Sequence, residues 1–273
     1  MSGPKDLVGE ELRHARERAD LTQQALGELL FVSGSYVGQM EAGTRRILPD
    51  MAARLDEALG TSGFFARHCT KARTSKHPEH FAAAAEAEAL AVEIRQYQSL
   101  LVPGLLQTPD YARAVFIAYQ PTAPDEIISN LVAVRMERAH LLDDPTKPLL
   151  WAVLDEAVLR REIGSPAVMA EALSHVAALA RRRRAIVQVL PFSAGAHASL
   201  DGPLKLMYYD DAPPLSFIEA SSMGQLTDDP ATVTRHQLTY DLLRADALTP
   251  RQSLALIESA AEDYAHEDRA LEA

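Results

Sequence analysis

The stretch "VSGSYVGQMEAGTRR", Val32–Arg46, holds the polar groups best suited to recognition chemistry. Wound as a helix from the cap residue Ser33, it sets Val37 and Met40 on one side and Gly34, Ser35, Gly38 and Gln39 on the other. That second side is small and polar. A glutamine amide donates and accepts at once, as an adenine edge requires, so Gln39 is the leading candidate for reading a base, and Ser35 can take either role. Gln23 and Ser33 stand at helix starts, where amide, hydroxyl and backbone N–H groups favour phosphate. Thr44, Arg45 and Arg46 follow the helix and suit a grip on a phosphate backbone, while Tyr36 at its border can bond a phosphate or pack. A glycine inside a helix costs about 1 kcal/mol relative to alanine. The expectation is that Gly34 and Gly38 clear the polar side for close approach to a ligand backbone.

The rest of the chain offers less. Asp155 and Glu156 are paired carboxylates, and His175 and His197 are available bases. No G-x-S-x-G elbow, phosphate loop or H-E-x-x-H accompanies them, and acids at a strand-to-helix junction more often cap the helix. No catalytic residue, cofactor or metal ligand is expected, and the protein is not read as an enzyme. The block "VPGLLQTPDYARAV" sets a turn and a helix start through its Pro, Gly and Thr. A sharper reading makes Tyr97, Leu105, Gln107 and Tyr111 the lining of a pocket or partner groove. The run Arg181–Arg184 ends a helix, where cations complement the C-terminal dipole.

These groups need elements to position them. "LVGEELRHARERA" places Leu7, Val8, Leu12, Ala15 and Ala19 near one helical face. Thr22 caps "QQALGELL", Ser33 caps the next helix, and Pro49 and Gly60 bracket "PDMAARLDEAL". Four or five helices in about sixty residues form a small bundle. Residues 61–80 are polar and basic and read mostly as a linker, with Phe64 and Phe65 packing on the bundle. "FAAAAEAEALAVEIRQYQ" reads as one long alanine-rich helix, and Thr108, Pro109 and Asp110 start another. "PLLWAVLD", "AIVQVLPF", "PLKLMYYD" and "LSFIEAS" are short β-rich runs among further helices. The fold expected is mainly α: an N-terminal all-α bundle over 1–65, a linker over 66–80, and a larger α+β domain with a small sheet over 81–273.

The 273 residues carry a net charge of −11, unevenly distributed. Residues 1–75 hold ten Lys/Arg and ten Asp/Glu, so the whole excess of acid lies in the body. A neutral head binds nucleic acid only through a local basic patch, weakly and with strong salt dependence unless two heads act together. No run approaches the roughly 20 apolar residues of a membrane helix. The start "MSGPKDLVGEELRHARE" lacks the apolar core of a signal peptide, and Cys69 is the single cysteine. A cytoplasmic location without membrane partners is expected.

The order of Thr22 helix, tight turn and Ser33 helix matches a helix-turn-helix. With "LTQ" at 21–23, "VS" at 32–33, "QMEAG" at 39–43 and the arginines after it, the head resembles the lambda-repressor-like (XRE) class over residues 7–60. The body resembles, over most of 80–265, the C-terminal domain of an actinobacterial group of regulators that includes the WhiJ-like ones. "LLVPGLLQTPDYARAV", "VRMERAHLL", "VLDEAVLRREIG", "VQVLPFSAGAHASLDGPLKL" and "ALTPRQSLALI" carry that likeness. The resemblance implies a sequence-specific transcriptional regulator on a double-stranded operator, whose body senses a partner or effector; a homodimer is expected because one small neutral head neutralises too few phosphates for tight binding. Two alternatives stay open: an antitoxin-like protein holding a small cognate partner encoded nearby, and a small-molecule-gated regulator. Two positions depart from the pattern. Phe31 replaces a turn glycine, at about 1–2 kcal/mol if left-handed, and Leu29 replaces a polar surface residue. The expectation is a reshaped turn and an apolar patch docked on the body or on a second head.

Overall fold

The computed structural model describes residues 6–68, 79–220 and 223–272. Cys69 and most of the expected linker lie outside them. Helices α1 (Asp6–Arg18), α2 (Gln23–Leu30), α3 (Gly34–Glu41), α4 (Pro49–Leu59), α5 (Phe64–His68) and α6 (Glu79–Ala89) come first. Strand β1 (Glu93–Gln98), helices α7 (Pro109–Tyr119) and α8 (Asp125–Ala139), and strand β2 (Leu149–Asp155) follow. Next are α9 (Ala157–Arg160), α10 (Pro166–Arg181), β3 (Ala185–Leu190), β4 (Leu204–Tyr208), β5 (Leu215–Ala220) and β6 (Met223–Thr227). Helices α11 (Pro230–Asp246) and α12 (Pro250–Glu272) end the chain. The architecture is helical at the N-terminus and α+β beyond it. The chain divides into two compact units interleaved in sequence: residues up to Val92 with Leu206–His236, and Glu93–Lys205 with the residues from Gln237 on.

In the first unit the caps stand where the side chains place them. Thr22 Oγ1 accepts from Ala25 N at 3.0 Å, and Ser33 Oγ accepts from Tyr36 N at 3.0 Å. Pro49 opens α4 and Gly60 closes it in a left-handed conformation. Leu12, Leu26, Leu30, Val37, Met40, Leu55 and Phe65 form one buried core. Each such side chain contributes about 1.5–3 kcal/mol when fully buried. Within that core's rim, Arg16 Nε meets Glu41 Oε1 at 2.5 Å and ties α1 to α3. The Asp56 carboxylate caps α5, accepting from Phe65 N at 3.0 Å and Ala66 N at 2.8 Å. Beyond the bundle, Phe81 of α6 meets Phe217 of β5 edge to face at 5.6 Å, and β5 pairs antiparallel with β6.

In the second unit β1, β2 and β3 run parallel, with Tyr97 opposite Val153 and Val153 opposite Gln188. Helices α10 and α12 pack on each other, and Val189 N of β3 donates to Ser253 Oγ of α12 at 2.9 Å. Trp151 Nε1 donates to Gln188 Oε1 at 2.8 Å, so the amide inside the sheet is satisfied.

Several expectations need correction. The alanine-rich helix stops at Ala89, and "EIRQYQ" is a strand. Its backbone groups find partners along β2, which outweighs the helical tendency carried over from the alanines. The hairpin partner β6, "MGQLT", was outside the expected strands because it lacks an apolar alternation. Thr108 occupies the cap position of α7, yet its buried hydroxyl has no hydrogen-bond partner among the described residues. Phe31 does not reshape its turn: it takes φ 57° and ψ 39° itself, and its N–H bonds back to Glu28 and Gly27 carbonyls. Phe31 is 82% exposed and Leu29 56%, so neither side chain is docked against the chain.

Candidate nucleic-acid interface

α3 is short and is held from below. Val37 and Met40 are buried, Ser35 is exposed, and Gly34, Gly38 and Gln39 are half-buried. The side chains of Ser35 and Gln39 make no hydrogen bond within the described residues, so their donors and acceptors face outward unspent. The Gln39 carbonyl accepts from Thr44 N at 3.0 Å and Arg45 N at 3.1 Å, and Thr44 Oγ1 adds a third bond at 3.1 Å. That knot turns the chain after α3 and keeps exposed Thr44 beside the helix end.

Gln23 lies across this face from α2. Its Nε2 donates to Glu41 Oε2 at 2.8 Å, and its Oε1 sits 3.2 Å from where a side chain at Gly38 would begin. A Cβ at Gly34 would stand 3.1 Å from both Cα and N of Gln24. The glycines therefore have a cause other than a cleared outer face: they let α3 lie close against the start of α2. The Arg16–Glu41–Gln23 chain fixes the register of all three helices. Arg16 also reaches the Leu21 carbonyl at 2.8 Å.

Three of the expected contacts are engaged within the first unit. Ser33 N donates to the Asp211 carbonyl at 3.1 Å. Arg45 is only 8% exposed, stacks over the Tyr36 ring at 4.3 Å and the Tyr209 ring at 4.9 Å, and brings Nη1 to 3.5 Å from Asp211 Oδ1. Tyr36 is buried beneath it, and burial pushes its phenol pKa upward. Tyr209 is shifted the same way for the same reason, and its hydroxyl donates to the Ala87 carbonyl at 3.1 Å. Arg46 is half-buried and, with Thr44, borders a small open cleft of about 30 Å³ walled by Leu48, Ala83, Ala87 and Leu215. Nothing in the sequence marks Tyr209 and Asp211 as partners of the head. The only local signal is the acidic "YYDDAPP" turn, and nothing in it points to the head.

The second group of candidates is spent on the fold. Tyr97, Leu105, Gln107 and Tyr111 are all buried. Gln107 Nε2 donates to the Val102 carbonyl at 2.7 Å, and its Oε1 accepts from Arg135 Nη1 at 2.8 Å. Val102 N donates to the Tyr111 hydroxyl at 3.1 Å, and burial pushes that phenol up to about 12. Tyr97 stands apart from these three. Its hydroxyl lies 3.2 Å from Asp155 Oδ2 and 3.3 Å from His197 Nε2. Asp155 Oδ1 accepts from Ala157 N at 2.8 Å, and His197 Nδ1 accepts from Ser199 N at 3.3 Å. Of the arginine run, Arg181 pairs with Glu258 at 2.6 Å and Arg184 donates to the Leu142 carbonyl at 2.8 Å.

Helix α2, the left-handed turn at Phe31 and helix α3 form a helix-turn-helix, and a family model described as a helix-turn-helix domain matches residues 7–63. Such a domain suggests a DNA-binding regulator. A second model, a domain of unknown function (DUF5753), matches residues 81–259, and the chain belongs to that family. No curated protein and no solved structure matches the chain. Among the described residues no helix is long and apolar enough to cross a membrane.

Proposed function

We propose that this chain is a sequence-specific transcriptional regulator of the lambda-repressor-like class, which lays α3 in the major groove of a double-stranded operator. The observation that carries the reading is the division of α3. Val37 and Met40 are 0% and 1% exposed, while Ser35 and Gln39 face out with unspent hydrogen-bonding groups. Gln39 reads a base edge, Ser35 supports it, and Thr44, Arg46 and the backbone N–H groups at the start of α2, from Gln23 on, hold the flanking phosphates. The face needs no catalysis, and the protein works as a binder and not as an enzyme. The regulator acts as a homodimer, because one small neutral head neutralises too few phosphates for tight specific binding. The uncovered Leu29 and Phe31 support contact with a second surface.

A second reading is gating by a small ligand at the cleft beside Arg45 and Arg46, where a bound group touches the cations of the reading head. A thermal-shift screen of small metabolites tests it: a hit that also changes DNA affinity supports gating, and hits without that coupling contradict it. The main reading is tested by selecting duplexes from a random pool and footprinting the winner at two salt concentrations. A protected site whose affinity falls steeply with salt is expected. An unselective pool and an unprotected duplex at low salt would defeat the reading.

A further inference from the structure

Two acidic points of the first unit grip the head at helix starts, where free backbone N–H groups favour an anion. The turn between β4 and β5 offers the Asp211 carbonyl to Ser33 N, at the start of α3, and the Asp211 carboxylate to Arg45. Asp228, just after β6, accepts from Met51 N at 3.1 Å in the first turn of α4, whose own cap residue Leu48 has no side chain to do so. Ala212 packs against the core of the head between these two points. A backbone carbonyl and a carboxylate thus present oxygen to the donors that a phosphate oxygen also satisfies.

The geometry suits exchange as well as it suits packing. The contact from Arg45 to Asp211 is long at 3.5 Å, well beyond the roughly 2.7–2.9 Å of a tight charge-assisted bond. The guanidinium is nonetheless buried between two tyrosine rings, so it is held in reserve without being paired tightly. We propose that the acidic turn Tyr209–Pro214 is a built-in competitor for the DNA backbone, and that Asp211 must release Ser33 and Arg45 before the head makes its full set of phosphate contacts. The inference rests on the DNA-binding reading. It adds to it a regulator in which the turn between β4 and β5, within the same unit, restrains the head and holds Arg45 through one displaceable carboxylate.

The test is Asp211→Asn in the full chain, with Asp210→Asn as a neighbouring charge control. The probe is double-stranded DNA of random sequence, titrated at about 50 and about 200 mM salt, where binding is governed by phosphate contacts. Asp211→Asn is expected to tighten binding about three- to tenfold at the lower salt, and to steepen the slope of log affinity against log salt by about 0.9, one added phosphate contact. The gain is expected to vanish in Asp211→Asn/Arg45→Gln, and Asp210→Asn is expected to give less than half of it. If Asp211→Asn binds no tighter than the parent, the competitor is overturned while the DNA reading stands. A gain that persists without Arg45, or is matched by Asp210→Asn, is a bulk charge effect and overturns it as well. If neither parent nor variant binds duplex DNA at low salt, the DNA reading itself fails and takes the competitor with it.

Discussion

Gln39 and Gln107 are the same residue put to opposite uses. Gln107 is buried and has both ends of its amide paired, with the Val102 carbonyl and with Arg135. Gln39 gives only its backbone to the fold and leaves its side-chain amide unspent. Both sit near turns, and both were candidates for binding. The difference teaches that a polar side chain is free for a partner only when the fold has not already consumed its donors and acceptors. Arg45 stands between the two cases, buried but loosely paired.

Removing Gln107 should break the fold and leave recognition alone. Gln107→Ala strands the Val102 carbonyl and one face of Arg135, at a stability cost of about 3 kcal/mol by denaturant unfolding. DNA affinity of the folded fraction should be unchanged; a selective loss of binding at full stability would reverse the comparison.

Asp56 probes the head's own framework. Desolvation pushes its carboxyl upward, but bonds from Thr61, Ala66 and Phe65 outweigh that and hold its pKa below the ordinary 3.8. The ionised form is therefore favoured by folding. Its stabilisation is complete above 3.8 and is lost as the pH falls through the lower folded value. Asp56→Ala should cost about 1–2 kcal/mol at neutral pH, a cap-sized loss, and parent and variant should converge in acid. Thermal melts across that range check the sign.

The glycines offer a smaller contrast. Alanine at Gly38 meets only the flexible amide of Gln23, so the helix should gain up to about 1 kcal/mol. Alanine at Gly34 meets the backbone of Gln24, so the same gain is offset by a displaced α2. Melting points that rise equally for both variants would count against the close packing of α2 and α3. Smallest of all should be the stability change in Gln39→Ala, within about 0.5 kcal/mol, because the lost amide supports nothing inside the fold.

Much of the head was legible because its signals are local. Thr22, Ser33, Pro49 and Gly60 mark helix ends within a turn of themselves, and the inward pair Val37 and Met40 follows from helical period alone. The outward position of Ser35 and Gln39 follows from the same period. β1 was hidden because a strand of "EIRQYQ" is stabilised by β2, more than fifty residues away, while the preceding alanines speak for helix. The roles of Gly34 and Gly38 were hidden because they depend on the crossing of α2 with α3. The engagement of Arg45 was hidden most deeply, since Asp211 lies 166 residues along the chain. Local patterning shows which groups a helix presents; only the fold shows which of them are already taken.

The central claim, that the outward side of α3 reads base edges, rests most directly on a specificity ratio. The affinity of the parent and of Gln39→Ala should be measured on a selected duplex and on random duplex DNA under one salt condition. The account predicts that Gln39→Ala loses about 1–3 kcal/mol on the selected duplex and almost nothing on random DNA, collapsing the ratio by about five- to 150-fold. An unchanged ratio, with both duplexes bound as by the parent, would contradict it.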